Sequence, residues 1–334
     1  MSTASPKYDC VPLRNDQTTI GVVQSKLITV DPKNPGKQMD ANLSHMLFMI
    51  DQAQAFGKKD LLVFHEFPLA GFNMTWSREE CLNAAVEVPG NQTEAIGAKA
   101  KQHNCYIAFG CYAKLEDWPG HFMNMGIIIG PDGEIVFKHW KTRNMSGMGF
   151  STTVYDVFDQ YVEKYGKAAI WPVARTDIGN IAIMPCVMEP EIARAYAMNG
   201  AEILIRYMTG GGMEKYRIDL QAQCMANDMY GVFVNQAVSP ENIYYEDPWS
   251  GYSSIIDNEG AIVETACSHH ETLVAKALPM SIYRQTHTKP MLLKELFEPL
   301  MAEWVSPSGP NSFADKMPNS IPESMKHYRD IRRW

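Results

Sequence analysis

The chain has no apolar run approaching the roughly 20 residues needed to span a bilayer. Its first 20 residues, MSTASPKYDCVPLRNDQTTI, contain no apolar signal core. Neither a membrane anchor nor a secretory leader is expected, and the expected location is the cytoplasm. Basic clusters are missing too. Acidic residues number 38 against 30 basic ones, for a formal charge of −8, and the basic residues are scattered, so nothing resembles a nucleic-acid footprint. Seven cysteines, an odd number without tight CxxC spacing, argue against a disulfide framework and a structural zinc site. Nine histidines occur without an HExxH or HxxEH spacing, so no metal site is expected. Low-complexity tracts are absent, and no linker divides the chain before about residue 280.

What remains is globular. Over 334 residues, 46% are hydrophobic and 20% charged, enough for a sizeable core. After a polar leader (1–17), TTIGVVQSKLI (18–28) reads as a strand, MDANLSHMLFMIDQAQAFG (39–57) as a helix stopped by Gly57, and DLLVFHE (60–66) as a second buried strand. A helix over 91–104 and strands over 105–114 and 122–130 follow. The stretch IIIGPDGEIVFKHWK (127–141) pairs two strand-like runs across Pro131-Asp132-Gly133, a hairpin signal because Gly accepts positive φ and Pro presets the first corner. Residues 142–170 read as a long loop with one helical turn. Strands over 179–186 and 201–208 flank a helix over 190–200, with Pro190 suited to its first turn. A helix over 214–231, a strand over 232–238 and a hairpin over 254–266 complete the ordered body (18–280). Alternating strands and helices with antiparallel hairpins predict a mixed-sheet α/β fold. The proline-punctuated tail (281–334) is expected to be an extended arm that contacts another subunit.

Three chemically distinct residues stand where strong strands stop: Glu66 in LLVFHEFPLAGF, Lys141 in EIVFKHWKTRN and Cys186 in IAIMPCVMEPE. Ligand chemistry in α/β sheets gathers at the carboxyl ends of strands. A cysteine just before a helix N-terminus is biased toward thiolate, a lysine beside it helps hold an oxyanion, and a desolvated glutamate can take and return a proton. Each residue alone has a plainer reading as core or surface. Cys105 and Cys111, flanking YIAFG, are expected to be core packing.

The flanking segments LLVFHEFPLAGFN, PDGEIVFKHWKTRN, GNIAIMPC with PEIARAYAMNGAEILIR, ANDMYGVFVNQA and GYSSIIDNEGAIVE occur in the order and at about the intervals of the nitrilase superfamily of carbon-nitrogen hydrolases, and most resemble its aliphatic amidase and formamidase branch. The resemblance spans about residues 18–280. It implies a four-layer αββα sandwich assembling as a homodimer or higher homo-oligomer. It also implies Glu66 as general base, Lys141 as the oxyanion-side cation and Cys186 as nucleophile, with no cofactor. The turn from Cys186 to Pro190 is two residues shorter than in most members, and a gapless count from GAEILIR would put Met184 at the nucleophile position. The count along the strand from Gly179 gives Cys186. An acid supporting the lysine is expected at Glu163, with Asp156 and Asp159 as competitors. A pocket formed by Phe67, Met188, Tyr207 and Met208, with the Val187 N–H on the oxyanion, suits a small, mainly uncharged carboxamide cleaved to acid and ammonia or amine. Nitrile hydrolysis by the same three residues, or an impaired relative serving as a binding or structural subunit, are the alternatives.

Overall fold

Short β-branched and aliphatic runs alternate with amphipathic segments, and the chain builds two sheets from them. The computed structural model describes residues 8–144, 149–185, 189–209, 213–242, 250–314 and 316–334. In its first half the order is β1 (Thr18–Gln24), α1 (Gly36–Ala55), β2 (Leu61–Val63), α2 (Arg78–Ala84), β3 (Val86–Glu87), α3 (Asn91–His103), β4 (Tyr106–Lys114), β5 (Met123–Ile129), β6 (Ile135–Trp140) and α4 (Phe158–Tyr165). The second half carries β7 (Ala174–Thr176), β8 (Gly179–Ile183), α5 (Pro190–Met198), β9 (Ile203–Tyr207), α6 (Met213–Asn227), β10 (Tyr230–Val234), β11 (Ser254–Ile256), β12 (Ile262–Thr265) and β13 (Thr272–Leu278). It ends in α7 (Met280–Thr286), α8 (Lys294–Glu303) and α9 (Ile321–Asp330).

One sheet has the order β13-β1-β2-β4-β5-β6, with β3 beside β4, and the other the order β12-β11-β10-β9-β8-β7. Both are mixed: β1, β2 and β4 run parallel, as do β8, β9 and β10, and antiparallel strands extend each sheet. The two-residue side-chain period explains the layering. Ile20, Val22, Leu61, Val63, Ala108 and Ile128 from one sheet meet Ile181, Ile183, Ile203, Ile205 and Val232 from the other in a shared cluster. Their sequence neighbours face helices instead, as Ile107, Phe109 and Ile127 do with Met46, Ile50 and Ile96. Ala182 and Leu204 likewise face Ile192, Tyr196 and Leu220. Burial on both faces is why these strands read as continuous apolar runs.

Both expected hairpins form. Gly133 closes the first at φ +92°, and Gly260 closes the second at φ +85°. Three regions differ from expectation. The strand β13, which pairs with β1 along its whole length, is half-exposed and lacks a clean alternation. Residues 142–170 hold a full helix, α4, and not one turn alone. The tail is helical in three places because most of its prolines fall between helices, where they break nothing. Pro322 sits in the first turn of α9, where no N–H is needed, and Pro299 lies inside α8. No helix among the described residues is long and apolar enough to cross a membrane.

Candidate active site

Glu66 lies three residues past the end of β2, and the chain keeps strand-like contact with β4 on the way: Phe64 N–H donates to the Ala108 carbonyl and Gly110 N–H to the His65 carbonyl. Gly110 is what permits this path. A Cβ there would stand 2.5 Å from the Glu66 carbonyl oxygen and 2.8 Å from its Cα. Glu66 is consequently buried, 3% exposed, and its carboxylate must find partners. Asn124 on β5 donates its side-chain amide to Glu66 Oε1 at 2.6 Å, and the Thr209 backbone, just past β9, also hydrogen-bonds the carboxylate. Burial pushes the Glu66 pKa above the ordinary carboxylate value; the Lys141 charge, the Asn124 amide and the Thr209 contact oppose that rise without cancelling it.

Lys141 is buried one residue past β6. Alternation along β6 places Phe137 in the inter-sheet cluster and Trp140 in the helix-side one, so Lys141 shares the inward face with Phe137 and His139. Its N–H donates to the Asn124 carbonyl at 2.8 Å, and its own carbonyl accepts from Val154 N–H at 3.3 Å. Asn124 thus holds both residues, one by its side chain and the other by its backbone. Lys141 acts on Glu66 through its charge, without a direct ion pair between the two.

The third residue, Cys186, lies outside the described residues, as do Val187 and Met188. The chain that delivers Cys186 is placed up to the buried Pro185. Ile183 at the end of β8 touches the β5 face that bears Asn124: a Cβ on Gly126 would stand 2.7 Å from Ile183 Cγ2. Met184, the gapless alternative, points the other way, into the helix-side cluster against Tyr196 and Leu204, where Arg206 Nη2 approaches its sulfur at 3.8 Å.

The remaining expected positions divide. Phe67 is buried in an aromatic cluster, its ring centroid 4.6 Å from that of Tyr112 and 5.5 Å from that of Phe72. Tyr207 is buried in the inter-sheet cluster with its hydroxyl unpartnered, and Met208 is buried on the helix side. All three are core side chains. Glu163 is exposed on α4, where solvent leaves a carboxylate no need of a lysine partner. The acid turned inward from this region is Asp156, 1% exposed. Asp159 instead sits in an exposed contact with Asn311. Glu189, just before α5, forms an ion pair with Arg143. Cys105 and Cys111 are core residues, and burial pushes their thiols up to about 11 and about 12. Among the described residues no three His, Cys, Asp or Glu side chains converge as metal ligands.

A cavity of about 980 Å³ lies between Thr142 and Asn144 after β6, Trp171, Glu189 at the start of α5, and Tyr328 and Trp334 of the tail. Neither Glu66 nor Lys141 lines it. Sequence reasoning missed Asn124. Its signal was available: one amide-bearing residue in the otherwise apolar run FMNMGIII, buried on both faces, has to be satisfied by something specific.

Residues 20–288 match the carbon-nitrogen hydrolase family. The chain belongs to that family, the nitrilase superfamily. Formamidases of Bacillus cereus (strain B4264) and Bacillus anthracis (strain CDC 684 / NRRL 3495) are 28% identical over 194 residues, 56% of this chain and 53% of theirs. The chain therefore spans about half the length of the curated relatives it matches. Among solved structures, an amidase from Nesterenkonia sp. superposes with a TM-score of 0.61 at 16% identity, covering 87% of this chain and 98% of that one. The C. elegans NitFhit protein gives 0.64 at 20% identity, covering 86% and 65%. At those identities the structures establish the shared fold of this carbon-nitrogen hydrolase family member.

Proposed function

We propose that this chain is an amidohydrolase that cleaves a small, mainly uncharged carboxamide through a thioester on Cys186. The observation that carries the reading is the buried Glu66, clamped by Asn124 within reach of the Lys141 charge, on the face that the end of β8 approaches. Glu66 takes the Cys186 proton as the sulfur bonds to the amide carbon. Lys141 and the Val187 N–H hold the oxyanion. The C–N bond then breaks, and Glu66 gives its proton to the departing nitrogen. Water attacks the thioester, Glu66 accepts a proton from it, and the sulfur leaves and is reprotonated as the acid departs. Structures of a relative support the substrate class: variants of the Nesterenkonia amidase hold acrylamide and butyramide, and one carries the acetamide moiety of fluoroacetamide added covalently at its active-site cysteine.

The experiment is ammonia release from matched amides and nitriles of two to four carbons. Turnover of the amides, abolished in Cys186→Ala, is the expected result. Turnover of nitriles alone would make the chain a nitrilase. No turnover, with the Cys186 thiol no more reactive than the exposed Cys267, would make it a binding or structural relative.

The same reading extends to architecture: a four-layer αββα sandwich of the nitrilase type that forms a homodimer or larger assembly, with 281–334 contributing to subunit contacts. Its support is α8 and the residue that follows it, where Leu296, Phe297, Leu300, Met301 and then Trp304 are all exposed, an apolar stripe that a monomer would leave in water. Sedimentation of the full chain tests it, and a monomer at micromolar concentration would contradict it.

A further inference from the structure

The tail does more than end the chain. Asp156 is buried between the loop that follows Lys141 and the segment after α8, and both of its oxygens are used. Oδ2 accepts from the Thr153 hydroxyl at 2.6 Å, from Thr153 N–H at 3.1 Å and, at the limit of contact, from the Asn144 amide at 3.5 Å. Oδ1 accepts from the Ser312 hydroxyl and, at 2.6 Å, from the Tyr328 hydroxyl. Thr153 is followed by Val154, whose N–H donates to the Lys141 carbonyl, and by Tyr155, whose N–H donates to the Thr142 carbonyl.

The tail is tied to the same loop elsewhere. Asn311 N–H donates to the Tyr155 carbonyl at 2.9 Å and Phe313 N–H to the Asp156 carbonyl at 3.0 Å. The Tyr155 hydroxyl donates to the Ser308 carbonyl at 2.9 Å, and the Ser324 hydroxyl to the Gly149 carbonyl at 2.8 Å. Arg78, buried against the rings of Phe122, Phe150 and Phe313, bridges the Pro318 and Phe150 carbonyls at 2.9 and 3.1 Å. A long tail segment is thereby fastened to the short loop that sets the backbone of Lys141.

We propose that residues 308–314 and 316–328 are a working part of the active site, clamping Asp156 through Ser312 and Tyr328 so that Asp156 is a positioning residue for Lys141. This rests on the hydrolase reading above. Lys141 has no direct partner in Glu66, so its position relative to the reacting centre is set through its backbone, and that backbone is held by Asn124 on one side and Val154 on the other. Loosening the Asp156 cluster frees the second grip. A misplacement of about 1 Å at such a group is enough to lose on the order of 100-fold in rate.

The test uses the full-length chain as wild type, Tyr328→Phe, Ser312→Ala and Asp156→Asn, with two readouts. Amide hydrogen exchange is expected to accelerate at Val154 and Tyr155 in each variant. Amide turnover is expected to show kcat lowered by about 10- to 100-fold with KM changed less than about threefold. The acidic limb of the pH profile is expected to move upward, because a displaced Lys141 supports the Glu66 carboxylate less. The groups facing Glu66 are Asn124, Lys141 and the Thr209 backbone, and those facing Asp156 are Thr153, Ser312, Tyr328, Asn144 and Arg78. A merely structural role would lower the yield of folded protein without moving that limb.

Faster exchange with unaltered kcat and pH profile would overturn the positioning role. Unaltered exchange would overturn the clamp itself. If the wild type turns over no amide, the hydrolase reading fails and takes the catalytic consequence with it, while exchange still decides the clamp. Should Asp156→Asn not fold, the two single hydroxyl deletions carry the same readouts.

Discussion

Asn124 binds Glu66 with its side chain and Lys141 with its backbone, at 2.6 and 2.8 Å, so one residue in the middle of a sheet fixes the spacing of a buried acid and a buried base. The amide N–H favours the charged carboxylate. In Asn124→Leu, which keeps the size and removes the donor, the Glu66 pKa is expected to rise further. The acidic limb of kcat/KM should shift to higher pH, and activity at neutral pH should fall by about 10- to 100-fold. A pH profile matching that of the wild type would contradict this role.

Gly110 makes room for the backbone of Glu66. A Cβ in Gly110→Ala would collide with the Glu66 backbone at 2.5 and 2.8 Å, and backbone cannot move aside as a flexible side chain can. A loss of about 1–3 kcal/mol in stability is expected, together with a loss of turnover exceeding what the unfolded fraction explains. Gly36→Ala, where nothing lies within 4 Å, is the control expected to leave both unchanged. Urea unfolding and amide turnover on the two variants provide the comparison.

Buried histidines set the acid side of the stability curve. His139 is 1% exposed, its two ring nitrogens lack partners, and burial holds its pKa down to about 3; His65 is fully buried, and burial holds its pKa down to about 3 against an opposing backbone contact with Ser25. The unfolded chain takes up protons on these rings below about pH 6.5 while the folded chain does not. Stability is thus complete above that pH and falls as pH drops toward 3, by up to about 1.4 kcal/mol per pH unit for each ring. His139→Phe, which keeps the edge contact with Tyr196, should flatten that slope by about one proton. Unfolding midpoints at pH 4, 5 and 7 would show it, and an unchanged slope would contradict it.

The carboxylates act in the opposite direction. Glu66 and Asp156 have pKa values raised by burial, so the folded chain holds protons that the unfolded chain has released. Their contribution is present below the unfolded values and is lost as pH rises through the folded ones. Glu163 is exposed on α4: Glu163→Gln is expected to leave turnover and its pH profile unchanged, whereas a loss beyond about fivefold would return it to the site.

The legible parts of this chain are those whose physics is local. Pro131-Asp132-Gly133 requires a turn, Gly57 stops a helix, Pro190 opens one, and the strand that leads to Glu66 is a continuous apolar run because both of its faces are covered. Less legible were features set by partners distant in sequence. Thr272–Leu278 becomes a strand because β1 offers it an edge, and Asn124 gains meaning only once Glu66 lies beside it. Ser312 and Tyr328 look like surface residues until Asp156 turns inward to meet them. The helix α2 was readable and overlooked: Ser77 and Glu80 form a reciprocal capping box.

The central claim is that Glu66 and Lys141 serve Cys186. It is tested most directly by quenching the full-length protein in acid during turnover of a simple amide and mapping the adduct by mass spectrometry. The expected result is one acyl group on Cys186 in the wild type and none in Cys186→Ala, with Cys10 and Cys267, the described thiols that are not buried, unmodified. No acyl-enzyme and no released ammonia, or an adduct on another cysteine, would contradict the account.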